Sequence, residues 1–358
     1  MTEPKSICLL RLSAIGDVCH AVATVQALQA KWPRLKITWI IGKVEYQLVK
    51  ELPGVEFIVF DKKAGISAYF ALKSALSNQQ FDVLLHMQVA LRASLATLFI
   101  RAKHKWGFDQ RRAKEGQWLF TNQKVAPQDS PHVAEGFLAF AQALGVNKDY
   151  QLSWQMPMTA ADEQWWLQQR QTLNLDHDYM VIVPAASKAE RNWLAERYAQ
   201  VADKMIEKNL KVVICGAPTS TELHLAEQIM QLSNNPLNNT LINLVGKTSL
   251  KQLLVVLKQA HFVLAPDTGP AHMAVTVDTP VVGLYAHSNP KRTGPYKYLH
   301  YVVSVYEKIL LQQTGKRSGQ LPWGTRVKGQ LLMAEISVAN VMEKIEQLLS
   351  DKLKNNNK

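Results

Sequence analysis

Cysteine is scarce. Three occur in 358 residues, Cys8, Cys19 and Cys215, and no two form a Cys-x-x-Cys pair. That argues against a disulfide framework and a thiolate zinc site, and suits a reducing compartment. No run of about 18 apolar residues exists, so no transmembrane helix is expected. The opening MTEPKSICLLRLSAIGD has no continuous apolar stretch of the kind a secretory signal needs. A cytoplasmic location follows as the expectation, with any membrane contact peripheral. G-x-x-x-x-G-K-[ST] is absent, which excludes a P-loop ATPase. The loop after the first apolar run holds one glycine rather than G-x-G-x-x-G, which weakens a dinucleotide oxidoreductase. No repeat of solenoid period is visible, and the only biased tract is the polar tail Lys354-Asn-Asn-Asn-Lys358, expected to fray.

Acidic charge is also in deficit. Asp and Glu number 29 against 41 Lys and Arg, a formal net charge of +12. Such an excess favours anionic partners, among them nucleic acid, phospholipid surfaces and phosphorylated substrates. A generally basic, soluble surface would look the same.

What is present is an ordinary globular mix, 47% hydrophobic and 20% charged, long enough at roughly 150 residues per domain for two domains. Short apolar runs alternate with amphipathic stretches, the βαβ pattern of a parallel sheet. Residues 7–10, 37–41, 55–60 and 83–85 read as strands. Val18, Ala21, Val22, Val25 and Leu28 repeat at helical spacing, and a helical segment covers about 90–100. A second series of strands covers 180–183, 212–215, 241–244, 262–265 and 281–285, separated by helical patterns near 194–208, 220–232 and 249–259. The predicted organisation is therefore α/β, with one Rossmann-like domain over 1–150 and another over 175–330. The join falls between about 145 and 178 and contains a short helix around Trp165 and Trp166. An amphipathic helix over 334–353 closes the chain.

Ligands of open parallel sheets bind beyond the carboxyl ends of the strands, which directs attention to the loops there. Arg11-Leu-Ser-Ala-Ile-Gly-Asp17 follows the first strand. Gly16 permits a tight turn, and Asp17 stands where it could cap the next helix or do chemistry. Ala265-Pro-Asp-Thr-Gly-Pro-Ala-His272 lies between a strand and a helix. Thr268 and Gly269 would offer amides, a hydroxyl and the helix dipole to a phosphate, and His272 lies one turn on. Ser187-Lys188-Ala-Glu-Arg191-Asn-Trp193 sets cations at another strand end, able to neutralise a leaving pyrophosphate. Glu222, after Gly216-Ala-Pro, could bind ribose hydroxyls or stabilise its own helix. Lys62, Lys63, Gln88 with Arg92, and Arg111-Arg112-Ala-Lys114 give the N-terminal half an anion-binding face, although surface cations are commonly just solvated.

Taken together, these motifs resemble glycosyltransferase family 9, the ADP-heptose:lipopolysaccharide heptosyltransferases, over most of the chain. The strongest marks are the Arg-x-Ser-x-x-Gly-Asp17 loop and Asp267-Thr-Gly-x-x-His272. Gln88 with Arg92 and Ser94, the Trp193 segment, and Gly283-Leu-Tyr285 through Gly294-Pro-Tyr296 support them. The resemblance implies a GT-B fold, two Rossmann-like domains with sheets facing across a cleft, and a C-terminal helix packing back on the N-terminal domain. It implies inverting, metal-independent transfer of heptose from ADP-heptose to the Kdo region of the anionic lipopolysaccharide core, with no cofactor and no nucleic-acid partner. The enzyme would be cytoplasmic, at the inner face of the inner membrane. Asp17 would be the general base. Lys188, Arg191, Glu222, Asp267, Thr268, Gly269 and His272 would bind the donor. Ser13, Lys62, Lys63, Gln88, Arg92 and Lys114 would bind the acceptor. The sequence departs from the family pattern at Arg191, where a lysine is usual, and at Val89, where a glycine is usual. Alternatives are a family 9 transferase for another sugar or a later core acceptor, a non-catalytic two-lobed nucleotide-sugar binder, and a nucleotide-sugar epimerase.

Overall fold

The computed structural model of the chain describes residues 3–175, 178–234 and 240–356. It divides into two compact units, Met1–Pro157 and Met158–Lys358.

The first unit is built on β1 (Ser6–Leu10), β2 (Lys36–Gly42), β3 (Val55–Phe60), β4 (Phe81–His86), β5 (Ala102–Gly107) and β6 (Gln123–Lys124). All pairings are parallel, in the order β3-β2-β1-β4-β5-β6. The central strands are near-continuous apolar runs because helices cover both faces of such a sheet. Leu10 stands beside Ile40 on one side and His86 on the other, so the loops leaving β1, β2 and β4 begin at one level. The Ile15–Lys31 helix buries Val18, Val22, Val25 and Leu28, as its periodicity predicts. β5 was not legible because its sequence, AKHKWG, alternates charge with weak apolarity. Its cations are used locally: Lys103 pairs with Asp82 at 2.9 Å, and Lys105 Nζ donates to the Thr97 carbonyl at 3.2 Å.

The second unit repeats the plan with β7 (Tyr179–Ile182), β8 (Lys211–Ile214), β9 (Leu241–Asn243), β10 (Val263–Pro266), β11 (Val281–Tyr285) and β12 (Val303–Ser304), in the order β12-β11-β10-β7-β8-β9. Its helices Ala195–Glu207, Ser220–Leu232 and Leu250–Lys258 match the predicted periodicities. The helix around Trp165 and Trp166 extends over Ala160–Thr172, started by a Thr159–Asp162 capping box. Trp166 is buried against Tyr179, whose hydroxyl donates to the Val256 carbonyl at 2.7 Å. The strand order of each sheet reverses beside its first strand, between β1 and β4 and between β7 and β10. These switch points leave crevices where loops diverge.

The C-terminal helix runs Val338–Asn356. Val341, Ile345 and Leu348 belong to the core of the second unit, with Trp193, Tyr301 and Val303. Trp193 Nε1 donates to the Ile336 carbonyl at 3.0 Å and Arg197 to that of Ala334 at 2.6 Å, which fixes the helix entry there. Burying three such side chains contributes about 1.5–3 kcal/mol each, enough to set the docking site. Lys354–Asn356, expected to fray, continue the helix, while 357–358 lie outside the described residues.

Candidate active site

In the first unit the Arg11–Asp17 loop leaves β1 at the switch point. The Leu12 carbonyl accepts from the Gly42 amide at 3.0 Å, and a Cβ at Gly42 would sit 2.3 Å from that oxygen. Only glycine lets β2 approach this closely. The Leu12 amide donates to Gln88 Oε1 at 2.7 Å, tying the loop to the end of β4.

Ala14 is the N-cap residue and Asp17 the third residue of the helix, its carboxylate accepting from the Ala14 amide at 3.4 Å in the manner of a capping box. That carboxylate also pairs with the Arg11 guanidinium. Arg11 is itself buried. It donates to the Met87 carbonyl at 2.5 Å, and its guanidinium lies 5.1 Å from the centroid of the Phe137 ring. Arg11 therefore orients Asp17, a role the sequence reading did not give it.

Beneath this loop, His86 is fully buried and its Nε2 stands 3.0 Å from Ser94 Oγ. Burial, helped by the nearby Arg11 charge, pushes the imidazole down to about 3, so it is neutral at physiological pH. Gln117, also fully buried, donates to the His86 and Gln88 carbonyls at 2.9 and 3.2 Å and accepts from the Phe108 amide at 3.0 Å. It clamps the ends of β4 and β5. A lone glutamine among basic residues offers no sequence signal for that work.

The six expected acceptor residues lie in the segments that leave carboxyl ends of this sheet, Arg92 on the short Leu91–Ala96 helix and the others in loops or turns, but they differ in state. Ser13 is half-buried in the β1 loop, and Gln88 is engaged with Leu12. Lys62 is 3.4 Å from Glu45, whose side chain is buried, so its charge is already matched. Lys63, Arg92 and Lys114 are exposed. Arg112 is not available to a ligand: it is buried, 3.4 Å from Asp109 and bonded to the Ser130 carbonyl at 2.7 Å.

In the second unit the loops after β7 and β10 meet at the switch point. Asp267 is their junction. Arg191 Nη1 donates to the Asp267 carbonyl at 3.0 Å and stands 3.3 Å from Oδ2. Ser288 Oγ and Thr293 Oγ1 donate to Oδ2 at 2.6 and 3.2 Å, and His272 Nε2 lies 3.8 Å from Oδ1. Burial alone would push this carboxyl up. His272, Arg191 and Ser288 outweigh burial and hold it down at about 2. Asp267 is thus an organiser, spending its oxygens on Arg191 and His272.

Thr268 caps the Gly269–Thr276 helix through its backbone, and its side chain makes no capping bond. The first-turn amides of Gly269 and Ala271 have no intrahelical partner, and Pro270 contributes none. Lys188 is exposed on the neighbouring loop. Glu222 accepts from the Ala217 amide at 2.6 Å and contacts Thr219 Oγ1 at 3.2 Å, so it folds its own loop as well as offering a carboxylate there. Ser288 and Thr293 were missed in sequence because their partner, Asp267, lies more than 20 residues away. His287 was missed too. It is buried at the end of β11, both ring nitrogens lack a hydrogen-bond partner, and burial followed by the Arg191 charge lowers its pKa.

The three cysteines are free and buried. Burial pushes their thiols up, Cys215 to about 12, so none is a reactive thiolate.

Residues 69–319 match the family described as glycosyltransferase family 9 (heptosyltransferase). The chain is 45% identical over 345 residues to the lipopolysaccharide core heptosyltransferase OpsX of Haemophilus influenzae, covering 96% of this chain and 97% of that protein. Among solved structures it is similar to a family 9 glycosyltransferase from Veillonella parvula, with a TM-score of 0.78, 22% identity and 97% of each chain covered. It is also similar to the Escherichia coli ADP-heptose lipopolysaccharide heptosyltransferase II, with a TM-score of 0.73, 20% identity, and 97% of this chain and 99% of that one covered. Both likenesses concern the fold, which is GT-B.

Proposed function

The chain belongs to glycosyltransferase family 9, and from that premise we propose that it transfers heptose from ADP-heptose to the Kdo region of the lipopolysaccharide inner core, with inversion and without a metal. The observation that carries the donor half is the junction at Asp267, which aims Arg191 and His272 beside the free amides of the Gly269–Thr276 helix. Amides, helix dipole and guanidinium together suit a diphosphate.

In the proposed reaction the acceptor hydroxyl attacks the anomeric carbon as the bond to the ADP oxygen breaks on the opposite face. Asp17 takes the hydroxyl proton late, when the forming bond has made it acidic. Arg11 holds that carboxylate in place. The charge developing on ADP is stabilised by the Gly269 and Ala271 amides, the Thr268 hydroxyl, Arg191 and Lys188, already oriented before the reaction begins. Glu222 receives the ribose hydroxyls. Ser13, Gln88, Lys63, Arg92 and Lys114 meet the anionic acceptor, with Lys62 held back by Glu45. The acceptor is lipid-linked, so the enzyme works peripherally at a membrane surface, and nucleic acid has no part in it.

The test is product analysis. The protein is incubated with ADP-heptose and truncated Kdo-bearing acceptors, with and without EDTA. Mass spectrometry then reads transfer and NMR reads the new anomeric bond. Heptose added with inverted configuration and unchanged rate in EDTA is the expected result. ADP-heptose bound but never transferred would leave a binding protein.

A further inference from the structure

We infer that the first unit carries a membrane-docking face, an apolar patch ringed by cations that seats in the headgroup layer of an anionic bilayer. The inference rests on the reading that the acceptor is lipid-linked, and it names the surface that reading requires. Of the 16 large apolar side chains left exposed among the described residues, seven fall between positions 66 and 119. Ile66 and Phe70, 74% and 64% exposed, stand four apart at the start of the Ser67–Ala75 helix. Leu91, Leu95 and Leu98 follow at helical spacing along the Leu91–Ala96 helix and the turn Thr97–Phe99. Trp118 and Leu119, 59% and 67% exposed, occupy the turn Gln117–Phe120.

These elements are neighbours. The Leu91–Ala96 helix packs against the Gln117–Phe120 turn, and the Ser67–Ala75 helix packs against Thr97–Phe99. The Tyr69 hydroxyl donates to the Arg92 carbonyl at 3.1 Å, and Glu115 accepts from the Leu91 amide at 2.7 Å. Exposed leucines scattered singly are ordinary, but a cluster rimmed by polar residues marks a contact surface.

Charge selects the occupant. Residues 61–120 hold ten Lys and Arg against four Asp and Glu. Each of those acids is already engaged, Asp61 with the Lys63 amide, Asp82 with Lys103, Asp109 with Arg112 and Glu115 with Leu91. Lys63, Lys73, Arg92, Arg111 and Lys114 remain exposed. Apolar side chains with a cationic surround match an anionic lipid surface. A second copy would present the same cations to themselves across a two-fold interface.

The experiment sediments the full-length protein with phosphatidylglycerol/phosphatidylethanolamine vesicles and with phosphatidylcholine vesicles. It compares the parent with a Leu95→Ser, Leu98→Ser, Trp118→Ser triple variant and with Leu98→Glu alone, which alters one exposed side chain should the triple variant fold poorly. Expected are binding of the parent to the anionic vesicles, a loss of about tenfold or more in both variants, weak binding to neutral vesicles, and unchanged kcat and KM on a deacylated, water-soluble acceptor. Parent-like binding of the variants to anionic vesicles would overturn the docking face. If the parent binds no vesicle yet turns over the soluble acceptor, both the face and the peripheral location fail while the transferase reading survives. If the parent sediments as a dimer and the variants as monomers, a second copy covers the patch and the proposal is wrong.

Discussion

Asp17 and Asp267 both face a guanidinium, but their exposure separates their work. The Asp17 side chain is 31% exposed and can reach a ligand, whereas Asp267 is 8% exposed with its oxygens committed to protein groups. Asp17→Asn keeps the size and a hydrogen bond to Arg11 but removes proton acceptance. We expect kcat to fall by about 100- to 10,000-fold, with KM for both substrates changed little. The variant also leaves the buried Arg11 without its counter-charge, so thermal unfolding must be measured in parallel. Turnover within a few-fold of the parent at saturating substrate would remove Asp17 from the role of base. For Asp267→Asn the expectation is different. Arg191 and His272 lose the charge that aims them, so the ADP-heptose KM should rise about tenfold or more while the acceptor KM stays put. Stability should fall as well, by about 3 kcal/mol. Because the folded-state pKa of Asp267 is depressed to about 2 from 3.8, its contribution is present above pH 3.8. It is lost as pH falls toward 2. Urea melts between pH 4 and pH 2 should therefore show a shallower loss for Asp267→Asn than for the parent.

At the scale of elements, the Gly269–Thr276 helix has the free N-terminus that matters most. Its first turn is built from a residue whose hydroxyl does not cap it, a glycine and a proline, leaving amides and hydroxyl for a ligand. Thr268→Val preserves shape and removes only the hydroxyl. Calorimetry should show ADP affinity weakened by about ten- to a hundredfold, the loss of one hydrogen bond to a charged group, with unfolding unchanged. Unaltered affinity would mean the hydroxyl faces away from the phosphates. The elements also show where sequence periodicity suffices. β3 and β11 were read to the residue because each is a short, mainly apolar run bounded by turn residues: β3 is broken only by Glu56 at the sheet edge, and β11, VVGLY, is wholly buried. β6 and β12 span two residues each, too short for any period to register. The last helix was expected as amphipathic, and its apolar stripe, Val341, Ile345 and Leu348, is buried.

Across the whole molecule, the +12 charge is unevenly spent. Lys62 and Arg112 neutralise buried carboxylates, so reversing them would damage the fold. Lys63, Arg92 and Lys114 are exposed and available. Reversing those three together should raise the acceptor KM by about tenfold or more while moving the donor KM little. Added salt should shrink the difference between variant and parent, since exposed charges are screened within about 10 Å at 0.1 M. Equal effects on both substrates would show that these cations do not discriminate the acceptor.

The sequence by itself determined the two parallel sheets, because alternating apolar runs and amphipathic stretches admit few other arrangements. It also determined that Asp17, Arg191 and Asp267-Thr-Gly stand at strand ends, because loop position follows from strand position. Only the tertiary structure decided what each side chain does there. Asp17 and Arg11, six residues apart, meet because the β1 loop folds over Gly42. Asp267 gathers Arg191 from 76 residues away and Ser288 from 21. Pairings between distant residues depend on register and on the burial of each partner, and local pattern carries neither.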